Sequence, residues 1–494
     1  MNTKYIYGLA VASMLMTSCS EDIMDRINKD EAHPGIALVD AKFQITDAIT
    51  ATSFSVINGD YAWYVSSYTE QEFGTGNNQM KQAEIRDYAE VAGSSVFNNV
   101  WNSTYSNLNN LKIIRDKCQN GGINAGQYDL LGMAQTLEAL NLGVLTDLHG
   151  DVPYSECFGN INAPKIDSQE SLYTRIFALL DSAQVNFAKG GKNVGAQDIL
   201  FANDLTQWSA FAHALKARYL LHTYGVNKSV LSQVLTEANA AVTAGFKGCN
   251  FSVFDGKNAD NSWSAYHWSR YYVASSTTVL NLMTDRNDPR AELYSAQGFE
   301  SGNGQTGVPG TLEQAVLTQQ LNYPAWLENG AAYQHLFSVS ELQFIIAEVK
   351  ARLGQNAQTE FEAGVKAAMA DYGTASGETI SDANIATYLT SVQARYAADP
   401  LKEIFVQKYI AQARDEQIET YNDIRRCRFV DGSYAVTMTN PKNTQSNLNR
   451  WPLRLPYGES DVTSNPNVTA AFGSGNEAGA YVFTAPIWWA GGSR

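Results

Sequence analysis

Aromatic side chains and one arginine crowd a short polar stretch of the chain, "SWSAYHWSRYY" at residues 262–272. Tryptophan and tyrosine combine an apolar face with a polar group, which suits stacking on sugar rings or on peptide side chains. An arginine beside them can hydrogen-bond the polar groups of such a ligand. The stretch therefore predicts a binding surface formed by Trp263, Tyr266, Trp268, Arg270 and Tyr271, with His267 and Tyr272 beside them.

Two further stretches offer aromatic rings to the same surface. "LNYPAW" contributes Tyr323 and Trp326, and an earlier loop contributes Trp63, Tyr64 and Tyr68. The alternative is that many of these rings anchor loops to the scaffold, because tyrosine and tryptophan are also ordinary core residues. Trp488 and Trp489 are expected to be packed.

Catalytic and metal-binding patterns are missing from the sequence. It contains no G-x-S-x-G, H-E-x-x-H, P-loop or EF-hand sequence, so we predict no enzyme and no cofactor. Asp255, Asn258 and Asp260 could offer oxygens to calcium, but a solvated polar loop explains them equally, and no metal site is predicted. A surface glycoside hydrolase remains the alternative of another class, since it needs only two facing carboxylates.

The first residues have the layout of a bacterial lipoprotein signal. Lys4 precedes an apolar run from Tyr5 to Met16, which is too short to span a bilayer, and small residues lead into Cys19. We expect 1–18 to be a signal peptide, Cys19 to carry the lipid, and 19–34 to be a tether. The acidic pair in "SED" at 20–22 resembles a tag for export to the outer cell surface.

Charge and cysteine content exclude some other classes. The formal net charge of −15 becomes −16 once Lys4 is lost with the signal peptide, so nucleic-acid binding is not expected. The remaining cysteines show no C-x-x-C spacing, which argues against a metal cluster and leaves disulfides or buried thiols open. They are Cys118, Cys157, Cys249 and Cys427.

The elements that must position these residues are mostly helical. Residues 340–354 predict a helix with Ser340 as N-cap and Gly354 as stop, and 357–373 predict its hairpin partner. Similar hairpins are indicated at 203–245 and, less cleanly, over 80–118 and 127–150, with a helix next at 171–188. Residues 399–426 read as one long helix with a break near Arg414. Two irregular regions, about 245–335 and 431–494, complete a single domain spanning 35–494.

"LTDLHGDVPYSE" at 145–156 predicts a helix end near His149, a turn at Gly150 and a Tyr154 hydroxyl bonded locally. "GDVPYSE" resembles the signature of the SusD/RagB outer-membrane lipoproteins. Three later stretches resemble the same family: "AEVKARLG" with "FEAGVKAAM", "YNDIRRCRF", and "RLPYGESDVTSNPN". The chain departs from the family pattern at His149, where Phe is usual, and at Cys157, where Ala is usual.

The resemblance implies a mostly α fold of tetratricopeptide-like hairpins with a loop-rich binding face. It further implies a lipid-anchored outer-membrane protein, facing the cell exterior, that captures an oligosaccharide and acts as a lid on a SusC-type TonB-dependent transporter. An oligopeptide ligand is the alternative within the same role. Ligand-binding residues cannot be transferred from the family, because the signature is structural and the binding loops vary.

Replacing Cys19 by Ala tests the lipid assignment. The Cys19→Ala protein is expected to fold and bind ligand normally but to leave the membrane fraction, because several acyl chains hold a protein far more firmly than one. Fractionation followed by immunoblotting measures this. Retention in the outer membrane would mean that the lipid assignment is wrong or that the barrel alone holds the protein.

Overall fold

A computed structural model of the chain describes residues 39–76, 79–85, 88–296, 305–311, 317, 320–438 and 451–493. The predicted signal peptide (1–18), the tether (19–34) and Cys19 lie outside these residues. Among the described residues, no helix has the length and apolar character needed to cross a bilayer.

Helices dominate the described chain, and strands are few and short. The helices are α1 Lys42–Thr50, α2 Asp60–Tyr68, α3 Gln79–Ile85, α4 Tyr88–Val91, α5 Asn98–Cys118, α6 Tyr128–His149, α7 Gln169–Lys189, α8 Leu205–His222, α9 Leu231–Thr243, α10 Ser262–Arg270, α11 Thr277–Thr284, α12 Ala291–Tyr294, α13 Val339–Arg352, α14 Gln358–Ala375, α15 Asp382–Ala398, α16 Pro400–Gln412, α17 Gln417–Val430, α18 Glu459–Ser464, α19 Pro466–Phe472 and α20 Tyr481–Thr484. A π-helix, Ala51–Ile57, continues α1. The strands are β1 Glu72–Gly74, β2 Val152–Pro153, β3 Ile166–Asp167, β4 Cys249–Phe251, β5 Val273–Ser275 and β6 Gln334–Phe337.

The scaffold is built from helices that pack against their chain neighbours, and the predicted helical hairpins are confirmed. α6 packs against both α5 and α7, α8 packs against α9, and α13 packs against α14. Close approach depends on small residues: a Cβ at Gly364 of α14 would lie 2.9 Å from the Phe344 ring of α13. Gly143 of α6 likewise faces the Tyr219 ring of α8.

Helix boundaries follow local side-chain hydrogen bonds. The N-cap of α13 is Ser338, whose hydroxyl accepts a hydrogen bond from the Glu341 N–H at 3.0 Å, so the prediction of Ser340 as the cap is wrong by two residues. The predicted break near Arg414 is confirmed, since α16 ends at Gln412 and α17 begins at Gln417.

The region 245–335 is more regular than predicted. It contains the helices α10, α11 and α12 and the strands β4 and β5, and β6 begins at its end. β1 pairs with β5, β2 with β3, and β4 with β6, each antiparallel. The β1–β5 ladder attaches this region to the segment that follows α2, and the β4–β6 ladder joins the two ends of the region; β2 and β3 lie outside it. The C-terminal region is also broken by short helices, α18 to α20.

Most buried apolar side chains form one continuous core. A second, smaller core is formed by the four helices α13, α14, α15 and α16. The second core contains Phe344, Phe361, Tyr388, Tyr396 and Ile404. Because α15 contributes to this second core, it is held to the scaffold chiefly through α14 and α16.

The turn after α6 is where distant parts of the chain meet. Gly150 has φ +82°, and the Arg454 guanidinium lies against it, donating to the carbonyls of Ala485 at 2.7 Å and Pro486 at 3.0 Å. The Leu455 N–H donates to the Leu148 carbonyl at 2.7 Å. The C-terminal segment is therefore fastened directly onto the signature turn.

His149 and Tyr154 show how the signature residues are used. His149 is fully buried, lies 2.8 Å from the Tyr61 hydroxyl through Nε2, and packs edge-on against Trp101. Burial lowers its pKa to about 3, so this ring is neutral and replaces the usual Phe as an aromatic core residue. The Tyr154 hydroxyl donates to Glu138 on the preceding helix, so the prediction of a purely local bond is wrong.

Changing Gly150 to Ala is expected to destabilise the protein strongly. A Cβ there would lie 2.6 Å from Arg454 Nη1 and 3.2 Å from the Ile487 Cγ2. Gly190 is a matched control, since it also has positive φ but has nothing within 4 Å. Backbone strain should cost both variants about 1–3 kcal/mol of unfolding free energy, and overpacking should cost Gly150→Ala about 1–3 kcal/mol more. Urea unfolding measures both; equal losses would show that the Arg454 contact does not restrict this position.

Candidate functional site

The aromatic run predicted as a loop is largely a helix, α10. The Asn261 side chain caps its start by accepting from the Ser264 N–H at 2.9 Å, and Tyr271 ends it in the left-handed conformation, φ 58° and ψ 50°. Residues three and four apart share one helix face. Trp263, Tyr266 and His267 consequently turn inward together, which residue types alone did not indicate.

Six of the predicted contact residues are buried. They are Trp263, Tyr266, Tyr323, Trp326, Tyr64 and Tyr68, each at most 7% exposed. Their rings meet other rings: Trp263 packs edge-on against Trp326 at 5.7 Å between centroids. For these six, the structure supports the alternative that the rings anchor the surface to the scaffold, because a buried face is not available for stacking.

The remaining predicted residues lie at the surface of this region. Arg270 is exposed, and Trp63, Trp268 and Tyr271 are half-buried, as is their neighbour Tyr272. We call these five residues the aromatic face. Trp63 stacks on Tyr266 at 4.0 Å with a 12° angle between the rings, and Tyr266 in turn contacts Tyr272 at 5.3 Å. The face is thus built on buried rings.

Hydrogen bonds hold the other half of the aromatic face. The Trp268 Nε1 donates to the Leu327 carbonyl at 3.1 Å, and the Thr75 hydroxyl donates to the Tyr271 carbonyl at 2.5 Å. Trp268 and Tyr271 pack edge-on at 5.5 Å. Pairing of β1 with β5 fixes the backbone that follows. These contacts preorganise the rings, which lowers the entropic cost of binding.

His267 supports the face from below. Its ring lies 4.5 Å from that of Tyr323 and packs edge-on against Trp268 and Tyr271. Burial lowers the pKa of His267 to about 4, so the ring is neutral at ordinary pH. Tyr323 is held by its hydroxyl, which donates to Glu328 at 2.8 Å.

The loop that could offer oxygens to calcium is organised without it. One oxygen of Asp255 accepts from the N–H groups of Lys257 at 2.9 Å, Asn258 at 2.8 Å and Ala259 at 3.0 Å. These donors hold the pKa of Asp255 well below its usual range. The arrangement is an Asx turn, in which the hydrogen bonds from the backbone already occupy that oxygen.

A buried group of Asp147, His222 and Glu419 has residue types that could bind a metal ion. The two ring nitrogens of His222 point at different carboxylates: Nδ1 lies 3.2 Å from Asp147 and Nε2 lies 3.0 Å from Glu419. One ion cannot be bound by both nitrogens of a single ring. The two carboxylates instead raise the pKa of His222 to about 9, so an imidazolium supplies the positive charge here.

This ionic group lies under the signature turn, and the sequence analysis missed it. Asp147 also accepts from Tyr173 and from the Trp489 indole at 2.8 Å. Arg425 donates to the Asp147 carbonyl at 2.7 Å. A usable signal was present, since Asp147 interrupts the otherwise apolar end of α6 in "LTDLHG", and "YNDIRR" places charged residues directly beside Tyr421 and Ile424. Such residues are buried only when they are paired.

The four described cysteines are free thiols. Cys118, Cys249 and Cys427 are buried and Cys157 is half-buried. Burial raises the pKa of Cys118 and of Cys157 to about 12, so these thiols are unreactive.

Comparisons with known proteins identify the family. Residues 27–458 match the model of a SusD-like family described as starch-binding and associating with the outer membrane. The chain belongs to the SusD-like family. A crystal structure of a SusD/RagB family protein from Bacteroides thetaiotaomicron is similar over 92% of this chain and all of that one, with 33% identity and a TM-score of 0.85.

More distant SusD-like structures show the same fold. A SusD homologue from Bacteroides fragilis has 18% identity and a TM-score of 0.71, over 92% of this chain and 100% of its own. A chitin-binding SusD homologue from Flavobacterium johnsoniae has 18% identity and a TM-score of 0.67, over 91% and 98%. No curated protein is similar enough in sequence to count as a relative.

Membership of the SusD-like family confirms the mostly helical fold and the expectation of a non-catalytic binding protein. It also places the protein among those that associate with the outer membrane. The alternative of a surface glycoside hydrolase is thereby not supported.

The stability of this SusD-like protein should fall above neutral pH. An unfolded histidine has a pKa near 6.5, so stabilisation by protonated His222 is complete below about pH 6.5 and disappears as pH rises through about 9. The loss is on the order of 3 kcal/mol of unfolding free energy. Urea unfolding at pH 6.5 and 9.5 measures it.

The His222→Gln protein should lose less stability between pH 6.5 and 9.5 than the wild type. His335→Gln should have the same effect independently, because Asp371 and Asp415 raise the pKa of His335 to about 9 against its desolvation. A His222→Gln protein with the full wild-type decline would contradict the assignment of an imidazolium.

Proposed function

We propose that this SusD-like protein captures oligosaccharides at the outer surface of the cell and acts as a lid on a SusC-type TonB-dependent transporter. The aromatic face is the observation that carries the ligand class. It combines the half-buried rings of Trp63, Trp268, Tyr271 and Tyr272 with the exposed Arg270 at the end of α10, on supports of buried rings. Aromatic faces take the C–H surfaces of sugar rings, and the guanidinium hydrogen-bonds hydroxyl groups.

The supporting residues explain how the binding surface is kept in one conformation. Tyr266 and His267 lie under the exposed rings and are fixed by α10, while Tyr323 is fixed by Glu328. A surface of this kind binds without ordering a loop first, so little affinity is lost to entropy. One SusD homologue of the same fold is chitin-binding, and the family is described as starch-binding; both support a glycan rather than a peptide.

Position at the membrane follows from the N-terminal residues. A lipid on Cys19 and a tether over 19–34 would hold the body near the bilayer while leaving it free to swing on a barrel. The acidic body has little attraction for nucleic acid or anionic lipid, so the lipid and the transporter would supply the attachment.

Calorimetric titration of a soluble form that begins after Cys19 tests the ligand class. Maltooligosaccharides, chitooligosaccharides and a pool of mixed peptides are the probes. Binding of one glycan series is expected, and Trp268→Ala and Arg270→Ala should each raise its Kd about tenfold, which corresponds to about 1.4 kcal/mol. Phe43→Ala is the control, since Phe43 is also an exposed aromatic residue but lies on α1, away from the face.

Two results would contradict the proposal. Binding of mixed peptides and of no glycan would assign the protein to oligopeptide capture. The Phe43→Ala control should leave glycan binding unchanged. If Trp268→Ala and Arg270→Ala also leave it unchanged, the site does not lie on the aromatic face.

A further inference from the structure

A pocket separate from the aromatic face lies between β4, β6 and the helices α13 and α14. It has a volume of about 290 Å³, and no residue of the aromatic face lines it. Its polar wall contains Asn250, Tyr333, His335 and Asp371, and Lys247 lies at its rim. We call it the Asp371 pocket.

Asp371 is held rigidly as an ionised carboxylate. It accepts from the Tyr333 hydroxyl at 2.5 Å, from His335 Nε2 at 3.0 Å and from Arg414 Nη1 at 3.0 Å. Arg414 and His335 keep the pKa of Asp371 well below its usual range despite desolvation. The Asp371 side chain still has 19% of its surface exposed, and it lines the pocket. A carboxylate has about four acceptor positions, so it can accept from a further hydroxyl.

A hydrogen-bond donor is fixed on the other side of the His335 ring from this acceptor. His335 Nδ1 donates to the Oδ1 of Asn250 at 2.7 Å, and this bond orients the Asn250 amide with its NH₂ group on the other side. The Lys247 ammonium is a second donor at the rim. Because Asp371 and Asn250 bond to opposite nitrogens of His335, the anchored acceptor and the anchored donor are separated by the width of that ring. This spacing matches hydroxyl groups at different positions of one sugar ring, since each hydroxyl both donates and accepts.

Small apolar side chains line the pocket beside this carboxylate. They are Val339, Ala367 and Ala370, and both alanines lie on the same face of α14 as Asp371. The two alanines also line a larger groove of about 910 Å³ between α14 and α15, which offers room for further units of an oligomer. An apolar lining with a few fixed polar groups is the pattern with which proteins orient a small ligand.

We propose that the Asp371 pocket is a second carbohydrate site that binds one sugar ring, with Asp371 and Asn250 on its hydroxyls and Ala370 against its C–H face. The inference rests on the proposed glycan function. A second site on one lid would let a single oligosaccharide, or two chains, be held at two points, which raises the effective affinity without new contacts at the first site.

Saturation-transfer NMR with glucose and with N-acetylglucosamine tests the pocket directly. The soluble protein carries Trp268→Ala and Arg270→Ala, so that the aromatic face no longer contributes. Ala370→Phe is added to fill the pocket; Ala370 is exposed on α14, so the change should not disturb folding. Ala394→Phe, at an exposed position of α15 that does not line the pocket, is the matched control.

We expect saturable binding in the face-deficient protein, retained by Ala394→Phe, with a Kd at least tenfold higher in Ala370→Phe. Asn250→Ala should weaken binding in the same direction without filling the pocket. Equal binding by Ala370→Phe and Ala394→Phe would overturn the assignment. So would a wild-type protein that binds oligosaccharides together with a Trp268→Ala, Arg270→Ala protein that shows no saturable binding. If the parent binds no glycan at all, the proposed function itself fails, and this site with it.

Discussion

The protonated His222 between Asp147 and Glu419 is the interaction on which the architecture depends. It joins α6, α8 and α17, three helices that lie far apart in the sequence, at one fully buried point. Two carboxylates in a core would repel each other and lose hydration without this cation. Since Trp489 and Arg425 also bond to Asp147, the C-terminal segment is attached to the same point. Removing one partner would leave an unpaired charge inside the protein.

Much of the scaffold could be predicted because its helices have a clear apolar period. The hairpin of α13 and α14 and the break between α16 and α17 were read correctly from spacing and from Gly or polar residues at helix ends. The N-cap was misplaced because both Ser338 and Ser340 can cap, and only the tertiary bond of Ser338 to Glu416 distinguishes them. The buried charges were visible in the sequence, but their partners were not, because pairing between distant helices has no local signal.

For the aromatic face, by contrast, the residues were predicted better than their secondary structure. Its residue types were recognised, but their structure was not, because Trp, Tyr, His and Ser have only moderate helix propensity and the stretch looked like a loop. Once α10 forms, its period separates rings that pack, such as Trp263 and Tyr266, from those that reach the surface, such as Trp268. One short sequence therefore supplies both the buried supporting rings and the rings that reach the surface, and composition alone could not separate the two groups.

The contact between Arg454 and the turn at Gly150 has a consequence for how the chain folds. The Arg454 guanidinium also approaches the His149 carbonyl, 305 residues earlier in the sequence. Contacts of such separation form late, because a long loop must close before they contribute any stability. The interior around α6 is thus completed only by residues synthesised long after that helix. Until then the turn at Gly150 lacks its contact with Arg454. The core of this protein is therefore completed only when the last part of the chain has been made.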